Sequence, residues 1–370
     1  MTVQPVRIGI IGCGDVLSAY MTLADKLRCR GQVEVTAACA ATEKKRDDVL
    51  TEYGISKFTT DYRELVQDAE IDLVLVLTPA QTHGPIVRAA LEAGKHVLVE
   101  KPMAVNLEEA AAIVDLARRS PGYLLCAPYV LLSPTYQTIW QRIHQGDIGK
   151  VLSGRARYGW AGPWWADWFY RAGGGAIFDF GVYNITSLTG FLGPAKRVMA
   201  MTGIAIPERE LHGQQLRVEA EDNAHIMLDF GESVYTVVTT GFTMQRYRCP
   251  AIELYGSEGV IQMLGDDWAP QGYELWQNNV GAWQSFYETD LFWQWTDGLR
   301  HIVECIQQNK PSICTPEHAF HVLEIMIKAQ ESGREGRAKT LDSTFTPPTF
   351  EASIETEPAH LVHDPRGRQR

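Results

Sequence analysis

The sequence predicts an α/β protein in two parts, a doubly wound parallel sheet followed by an α+β domain with a large, mostly antiparallel open sheet. Three observations carry that prediction. Short apolar runs alternate with helical stretches as far as about residue 127, and strands that read as unbroken apolar runs between helices imply a parallel sheet covered on both faces. Beyond that point alternating strand candidates are joined by tight turns, which suits antiparallel pairing. The chain of 370 residues, 45% apolar and 21% charged, also has enough material for two cores of ordinary size.

The first-part strands are Val6 to Ile11, Val33 to Ala38, Leu73 to Leu77, Val97 to Val99 and Tyr123 to Cys126, separated by helices such as Pro85 to Ala93 and Leu107 to Ala117. A helix from about Pro134 to His144 and a Gly-Asp-Ile-Gly turn at Gly146 to Gly149 open the second part. Strands follow at Val151 to Tyr158, Ala224 to Phe230, Val234 to Thr240 and Ala251 to Tyr255, with turn residues at Gly231-Glu232-Ser233 and Gly256-Ser257-Glu258-Gly259. Between them, Ala176 to Leu192 reads as a helix. Two late helices are expected to pack back against the sheets: about Thr296 to Gln307, and one with Thr315 as N-cap and Pro316 at its first position, ending near Ser332 before Gly333. The expected domains are therefore residues 1–127 and 128–343. The tail 344–370, with Pro347-Pro348 and little apolar content, reads as an extended arm, disordered or draped on a partner subunit.

A net charge of −11 with no basic stripe makes nucleic acid a poor partner, and none is expected. Neither a leader-like start nor an apolar run long enough to span a bilayer is present, so export and membrane insertion are not expected. The seven cysteines are scattered and never form Cys-x-x-Cys, which predicts neither disulfides nor a zinc ribbon and fits a reducing cytoplasm. His318 and His321 are three residues apart with no positioned acid, so no metal site is expected.

Chemistry is written first at Ile8-Gly9-Ile10-Ile11-Gly12-Cys13-Gly14-Asp15-Val16-Leu17, a strand, a Gly-x-Gly turn and an opening helix. Such a turn brings backbone N–H groups and a helix dipole to a pyrophosphate. Gly12 permits the tight turn, Gly14 the approach of phosphates, and Asp15 and Val16 complete the loop; Leu17 replaces the usual third small residue. Where a carboxylate would hold the ribose of NAD the chain has Ala40. Thr42 with Lys44, Lys45 and Arg46 favours NADP slightly, unless those bases are simply a helix face, and Glu43 would restore NAD in a shifted register.

The run Val97-Leu98-Val99-Glu100-Lys101-Pro102 delivers an ammonium to the carboxyl end of the sheet, the edge where ligands bind in open α/β folds. Asp179 and Tyr183 lie one turn apart on a helix that is apolar nearly all round, after Gly173-Gly174-Gly175. A polar pair on a buried helix needs partners, in the core or in a ligand. Trp160 to Arg171 concentrates six aromatics. Trp164 and Trp165 either wall a pocket, with Asp167, Arg157, Arg171 and Asn184 for substrate hydroxyls, or belong to a core or interface cluster.

These residues resemble the glucose-fructose oxidoreductase/inositol dehydrogenase/rhizopine-catabolism (Gfo/Idh/MocA) family to about residue 343. The likeness rests on the Gly-x-Gly turn, Thr78-Pro79 with His83, Ala93 to Val97 leading into Glu100-Lys101-Pro102, and Gly173 to Tyr183. It implies an N-terminal Rossmann domain, with Thr78, Pro79, His83 and Glu100 around the cofactor and Lys101 near the nicotinamide and the substrate hydroxyl. Many relatives have histidine where this chain has Tyr183; it looks like the tyrosine branch. A free phenol titrates at about 10 and needs a cation to act as a base near neutrality, a part that Lys101 is suited to. The resemblance also implies a homo-dimer or homo-tetramer through an exposed sheet face.

The expected protein is an NAD- or NADP-dependent oxidoreductase acting on a secondary alcohol or ketone of a sugar, cyclitol or glycoside. Tyr183 with Lys101 would move the hydroxyl proton and Asp179 would orient the group. Two alternatives are a glycoside-processing enzyme that recycles its hydride on tightly bound cofactor, and a non-catalytic cofactor-binding regulator.

Overall fold

The computed structural model describes residues 4–288, 290–350 and 360–363. The chain forms two compact units, Met1–Tyr129 with Trp295–Leu323 and Val130–Gln294 with Glu324–Arg370. The segment Trp295–Leu323 thus groups with the first unit, beyond a single cut near residue 127.

In the first unit β1 (Val6–Ile11), α1 (Leu17–Cys29), β2 (Val33–Cys39), α2 (Arg46–Tyr53), β3 (Lys57–Thr59), α3 (Tyr62–Gln67), β4 (Leu73–Val76), α4 (His83–Glu92), β5 (His96–Val99), α5 (Leu107–Ala117) and β6 (Leu124–Cys126) alternate along the chain. The strands pair in parallel in the order β3-β2-β1-β4-β5-β6. Central strands β4 and β5 are buried nearly throughout because helices cover both faces. The order reverses between β1 and β4, which makes their carboxyl ends the ligand crevice of this fold. Asn106 caps α5 by accepting from the Glu109 N–H, so the loop after Lys101 ends where a helix must begin.

The second unit opens with α6 (Pro134–His144), whose Ser133 cap and Pro134 fix its start. Then come β7 (Val151–Gly159), α7 (Val182–Leu192), β8 (Arg197–Gly203), the hairpin β9 (Glu208–Leu211) and β10 (Gln214–Arg217), β11 (Asn223–Asp229), β12 (Tyr235–Gly241), β13 (Ile252–Gly256), β14 (Gly259–Asp266), β15 (Ala269–Gln277) and β16 (Ala282–Tyr287). After α8 (Gly298–Gln308) of the first unit, α9 (Pro316–Glu335) leads to β17 (Lys339–Thr340) and β18 (His360–His363). The sheet runs β17-β8-β11-β12-β7-β13-β14-β15-β16-β18. Only β7 and β12 pair in parallel among its neighbours; the strands β14 to β16 extend it past the last one expected.

Two details depart from expectation. Gly333 does not end α9: a Cβ there would meet the Thr202 side chain at 2.2 Å, and the neighbouring Ser332 Oγ accepts from the Ala200 N–H, so this glycine lets helix and strand β8 approach. The helix stops before Gly336, which takes φ +67°. In the tail, Phe345 and Pro348 are buried, Phe350 meets the rings of Tyr136 and Trp140 edge-on, and β18 adds an antiparallel edge to β16. Residues 351–359 and 364–370 lie outside the described residues.

Candidate functional site

The candidate residues divide between the two units, and each set has its own local cause. In the first unit Gly12 closes β1 with φ +105° and donates its N–H to Cys39 O at 2.8 Å. A Cβ at Gly12 would sit 2.5 Å from the Leu77 carbonyl carbon, whereas one at Gly14 would meet nothing within 4 Å. The first glycine therefore lets two strand ends meet, and the second leaves open space over the turn. The helix α1 behind them has no side-chain cap and no acid in its first turn. Its N-terminal N–H groups and dipole fit an anionic pyrophosphate, for which Asp15 and Val16 lie in the connecting turn. Burial pushes the Cys13 thiol up to about 11, against the pull of the Lys45 ammonium. Thr42, Lys44 and Lys45 are exposed beyond β2, while Arg46 is paired with Glu43 at 2.9 Å.

Around the ends of β4 and β5 the expected cofactor residues take unequal places. Pro79 is exposed and Thr78 half-buried. His83 is buried, with one ring nitrogen 2.7 Å from Thr78 O and the other 2.7 Å from Pro102 O. It ties the loop after β4 to the loop that carries Lys101, and burial pushes its pKa down. Glu100 is 8% exposed; its carboxylate accepts from Tyr20 Oη at 2.7 Å and from the Lys101 N–H. His83 and Glu100 thus brace the Lys101 loop, with their side chains engaged inside the unit. Lys101 follows directly at the end of β5 and is half-buried.

In the second unit the predicted helix opens with a π-helical turn, Ile177–Gly181, before α7. A wider i→i+5 turn of this kind occurs often at functional sites. Asp179 lies in it and Tyr183 in the first turn of α7; both are half-buried, as is Phe178, while Ile177, Phe180, Gly181, Val182 and Asn184 are buried. The triple glycine has a packing cause. A Cβ on Gly174 would strike Trp168 O at 2.5 Å, and one on Gly175, at φ +104°, would strike the Glu221 carboxylate. Glu221 accepts from the Ile177 N–H and from Gln330 Nε2, and burial pushes it up to about 7. Its carboxylate holds the entry to the turn that carries Asp179.

Residues 6–126 match the model described as an oxidoreductase family with an NAD-binding Rossmann fold, and residues 136–262 match the GFO/IDH/MocA C-terminal domain. The dTDP-3,4-didehydro-2,6-dideoxy-alpha-D-glucose 3-reductase of Saccharopolyspora spinosa is 30% identical over 70% of this chain and 74% of its own length. The chain belongs to the Gfo/Idh/MocA family. It is an NAD(P)-dependent oxidoreductase. The trans-1,2-dihydrobenzene-1,2-diol dehydrogenase of Macaca fascicularis is 26% identical over 72% of this chain and 76% of its own. A solved levoglucosan dehydrogenase in complex with NADH, 21% identical, shares the fold with a TM-score of 0.83 over 92% of this chain and all of that one.

In this Gfo/Idh/MocA member the expected substrate residues are scattered. Asn184 is 0% exposed and donates Nδ2 to Asp267 Oδ2 at 2.9 Å, so it faces the core and not a ligand. Arg157 alternates with Tyr158 along β7 and therefore lies on the opposite face of the sheet, where its guanidinium reaches Cys249 Sγ at 3.1 Å. Arg171 is exposed and pairs with Asp167 and Glu219. Trp164 and Trp165 are exposed, at 66% and 40%, on the rim of a buried cluster of Phe169, Tyr170, Phe180 and Phe242. His318 and His321 are packed inside α9; among the described residues no group of three or more side chains could hold a metal ion.

Two aromatic residues on the Tyr183 side of the sheet, Tyr158 and Trp268, were not singled out in the sequence. The ring of Tyr158 meets that of Tyr183 edge-on at 5.8 Å, and Trp268 lies 6.2 Å from Tyr158. Burial, with Tyr183, Asp179, Asp266 and Asp267 nearby, pushes the Tyr158 phenol up and keeps it protonated. The two-residue spacing of Tyr158 and Trp160 at the end of β7 was the available signal. For Trp268, at a hairpin tip between Asp267 and Ala269, there was none.

Proposed function

We propose that this enzyme moves a hydride between NAD(P) and a secondary alcohol or ketone on a sugar or cyclitol ring, with Tyr183 as the proton-exchanging group. The observation that carries the reading is that Asp179 and Tyr183 stand half-buried one turn apart, with Ile177, Phe180, Gly181, Val182 and Asn184 buried around them. The relatives named above act, by their names, on a keto-sugar nucleotide, a cyclic diol and an anhydrosugar, which supports a ring-borne hydroxyl or ketone as the reacting group.

Gly12, Gly14, Asp15 and Val16 would hold the pyrophosphate; the dinucleotide, when bound, supplies or accepts the hydride. Lys101, braced by Glu100 and His83, presents a positive charge that holds a substrate oxygen and favours its alkoxide-like form. Tyr183 gives or takes the hydroxyl proton, and Asp179, one turn before it, orients the hydroxyl. The exposed Thr42, Lys44 and Lys45, without an acid at Ala40, support NADP as the preferred dinucleotide. Cytoplasmic residence and a homo-oligomer complete the reading. The outer face of the large sheet, where Met199 pairs with Met227 and Met201 is 78% exposed, is the surface for a second copy. No described helix is long and apolar enough to cross a membrane.

The test is a panel of sugars, cyclitols and glycosides incubated with NAD or NADP, read by the absorbance of reduced nicotinamide and by mass analysis of products. A net absorbance change with one polyol class, larger with NADP, is expected. Substrate consumed without net change overturns the net-redox reading, and no turnover of any ring alcohol or ketone overturns the substrate class.

A further inference from the structure

Strands β14 and β15 are joined by the two-residue tip Asp267-Trp268, flanked by the pair Asp266 and Ala269. Hairpin tips are ordinarily solvated, yet Asp267 is buried. Its Oδ2 accepts from Asn184 Nδ2 at 2.9 Å and from Ser187 Oγ at 3.1 Å, both on α7. Its Oδ1 is buried without a hydrogen-bond partner, and so is Asn184 Oδ1. Two orphan acceptors on one hydrogen-bonded pair are costly, since each forfeits its hydration with nothing in return.

We propose that Asp267 is a neutral carboxylic acid paired with the Asn184 amide, and through that pair a positioning residue for the start of α7, from which Tyr183 projects. One proton answers both orphans: on Asp267 Oδ1 it is donated to Asn184 Oδ1, while Asn184 Nδ2 donates to Asp267 Oδ2, closing an acid–amide ring. An ionised Asp267 would leave its own Oδ1 and Asn184 Oδ1 bare and add a buried charge. The groups facing it make that charge unwelcome. Asp266 adjoins it and accepts from Tyr247 Oη, and the phenol of Tyr158 on β7 senses both carboxyls. Burial accordingly pushes Asp267 up to about 7. The same tip reaches Tyr183 by a second route, since Trp268 packs near Tyr158 and Tyr158 lies edge-on to Tyr183.

Asp267 binds its proton more tightly folded than unfolded, so the parent loses stability as pH rises from the ordinary aspartate range to about 7, and no further above it. Asp267→Asn forms an amide–amide pair and has no proton to lose. Its Tm relative to the parent should rise between pH 5 and 7 and level off beyond. Infrared difference spectra of the parent at pH 6 should contain a carboxylic-acid carbonyl band that shifts in D₂O and is missing from Asp267→Asn. Absence of that band, or a Tm difference that is flat or falls from pH 5 to 7, overturns the proposal.

The positioning part rests on the reading of Tyr183 and has its own readout. Asp267→Ala should lower kcat roughly tenfold or more with KM little changed, and the exchange Asn184→Asp with Asp267→Asn should restore it. If the infrared band is found but kcat is indifferent to Asp267→Ala, the positioning role fails and the neutral pair stands.

Discussion

The ring of Tyr158 stands edge-on to the ring of Tyr183, with centroids 5.8 Å apart and planes at 79°, and is itself packed 4.5 Å from Phe180. A strand residue thereby packs against a helix residue and helps to hold its direction. Aromatic pairs of this geometry contribute about 0.5–1.5 kcal/mol beyond burial.

Tyr158→Phe keeps the ring and should leave kcat within about twofold, whereas Tyr158→Leu frees the Tyr183 ring and should lower kcat by roughly threefold to tenfold, the rate equivalent of that pair energy. Steady-state kinetics on both variants separates packing from any role of the Tyr158 hydroxyl, because only a hydroxyl role makes the Phe variant slow.

The two glycines of the dinucleotide turn should fail differently. Gly12→Ala forces a methyl into the Leu77 backbone at positive φ and should cost about 1–3 kcal/mol of stability or more. Gly14→Ala meets no atom of the protein and should leave Tm nearly unchanged while weakening dinucleotide binding, because its methyl occupies the open space over the turn. Thermal denaturation beside a fluorescence titration with NADPH distinguishes the two.

Glu221 gives a pH dependence of known sign. Burial raises its folded-state pKa to about 7, above the unfolded range of about 4.3. The folded protein therefore binds more protons across that window, and stability declines as pH rises through it. Glu221→Gln should flatten this decline by a contribution of roughly 2–3 kcal/mol while keeping a partner for Gln330 and the Ile177 N–H. Denaturant titrations at pH 5, 6 and 7 check it; parallel slopes for parent and variant would contradict it.

Much of the first unit was legible because its central strands are short and almost entirely apolar. Leu73–Val76 and His96–Val99 have little alternative to a buried parallel sheet, and the helix Leu107–Ala117 is announced by Asn106 and two acids in its first turn. In the second unit, alternation marked β11 and β12. The strands after Gly259 carry polar and aromatic residues on both faces and gave a weaker signal. Gly333 read as a helix stop because its true cause, the approach of Thr202 on β8, lies far off in sequence. The same limit applies at the site. Asp179 and Tyr183 stand out one turn apart on a helix that is apolar nearly all round, and Lys101 as a cation at a strand end. Asn184 looked like a neighbour for substrate only because its partner Asp267, 83 residues away, is invisible until the hairpin folds. For Arg157, one residue of strand alternation decides the face of the sheet, and the structure places it opposite Tyr158.

The most direct measurement is turnover and dinucleotide binding of Tyr183→Phe on the ring alcohol or ketone that the panel identifies. Removing one hydroxyl should lower kcat by about 10²–10⁴, the usual contribution of a positioned proton-transfer group, while NAD(P) affinity and Tm stay close to the parent's. A Tyr183→Phe enzyme that turns over at the parental rate would contradict the assignment of Tyr183 as the proton-exchanging residue and with it the proposed mechanism.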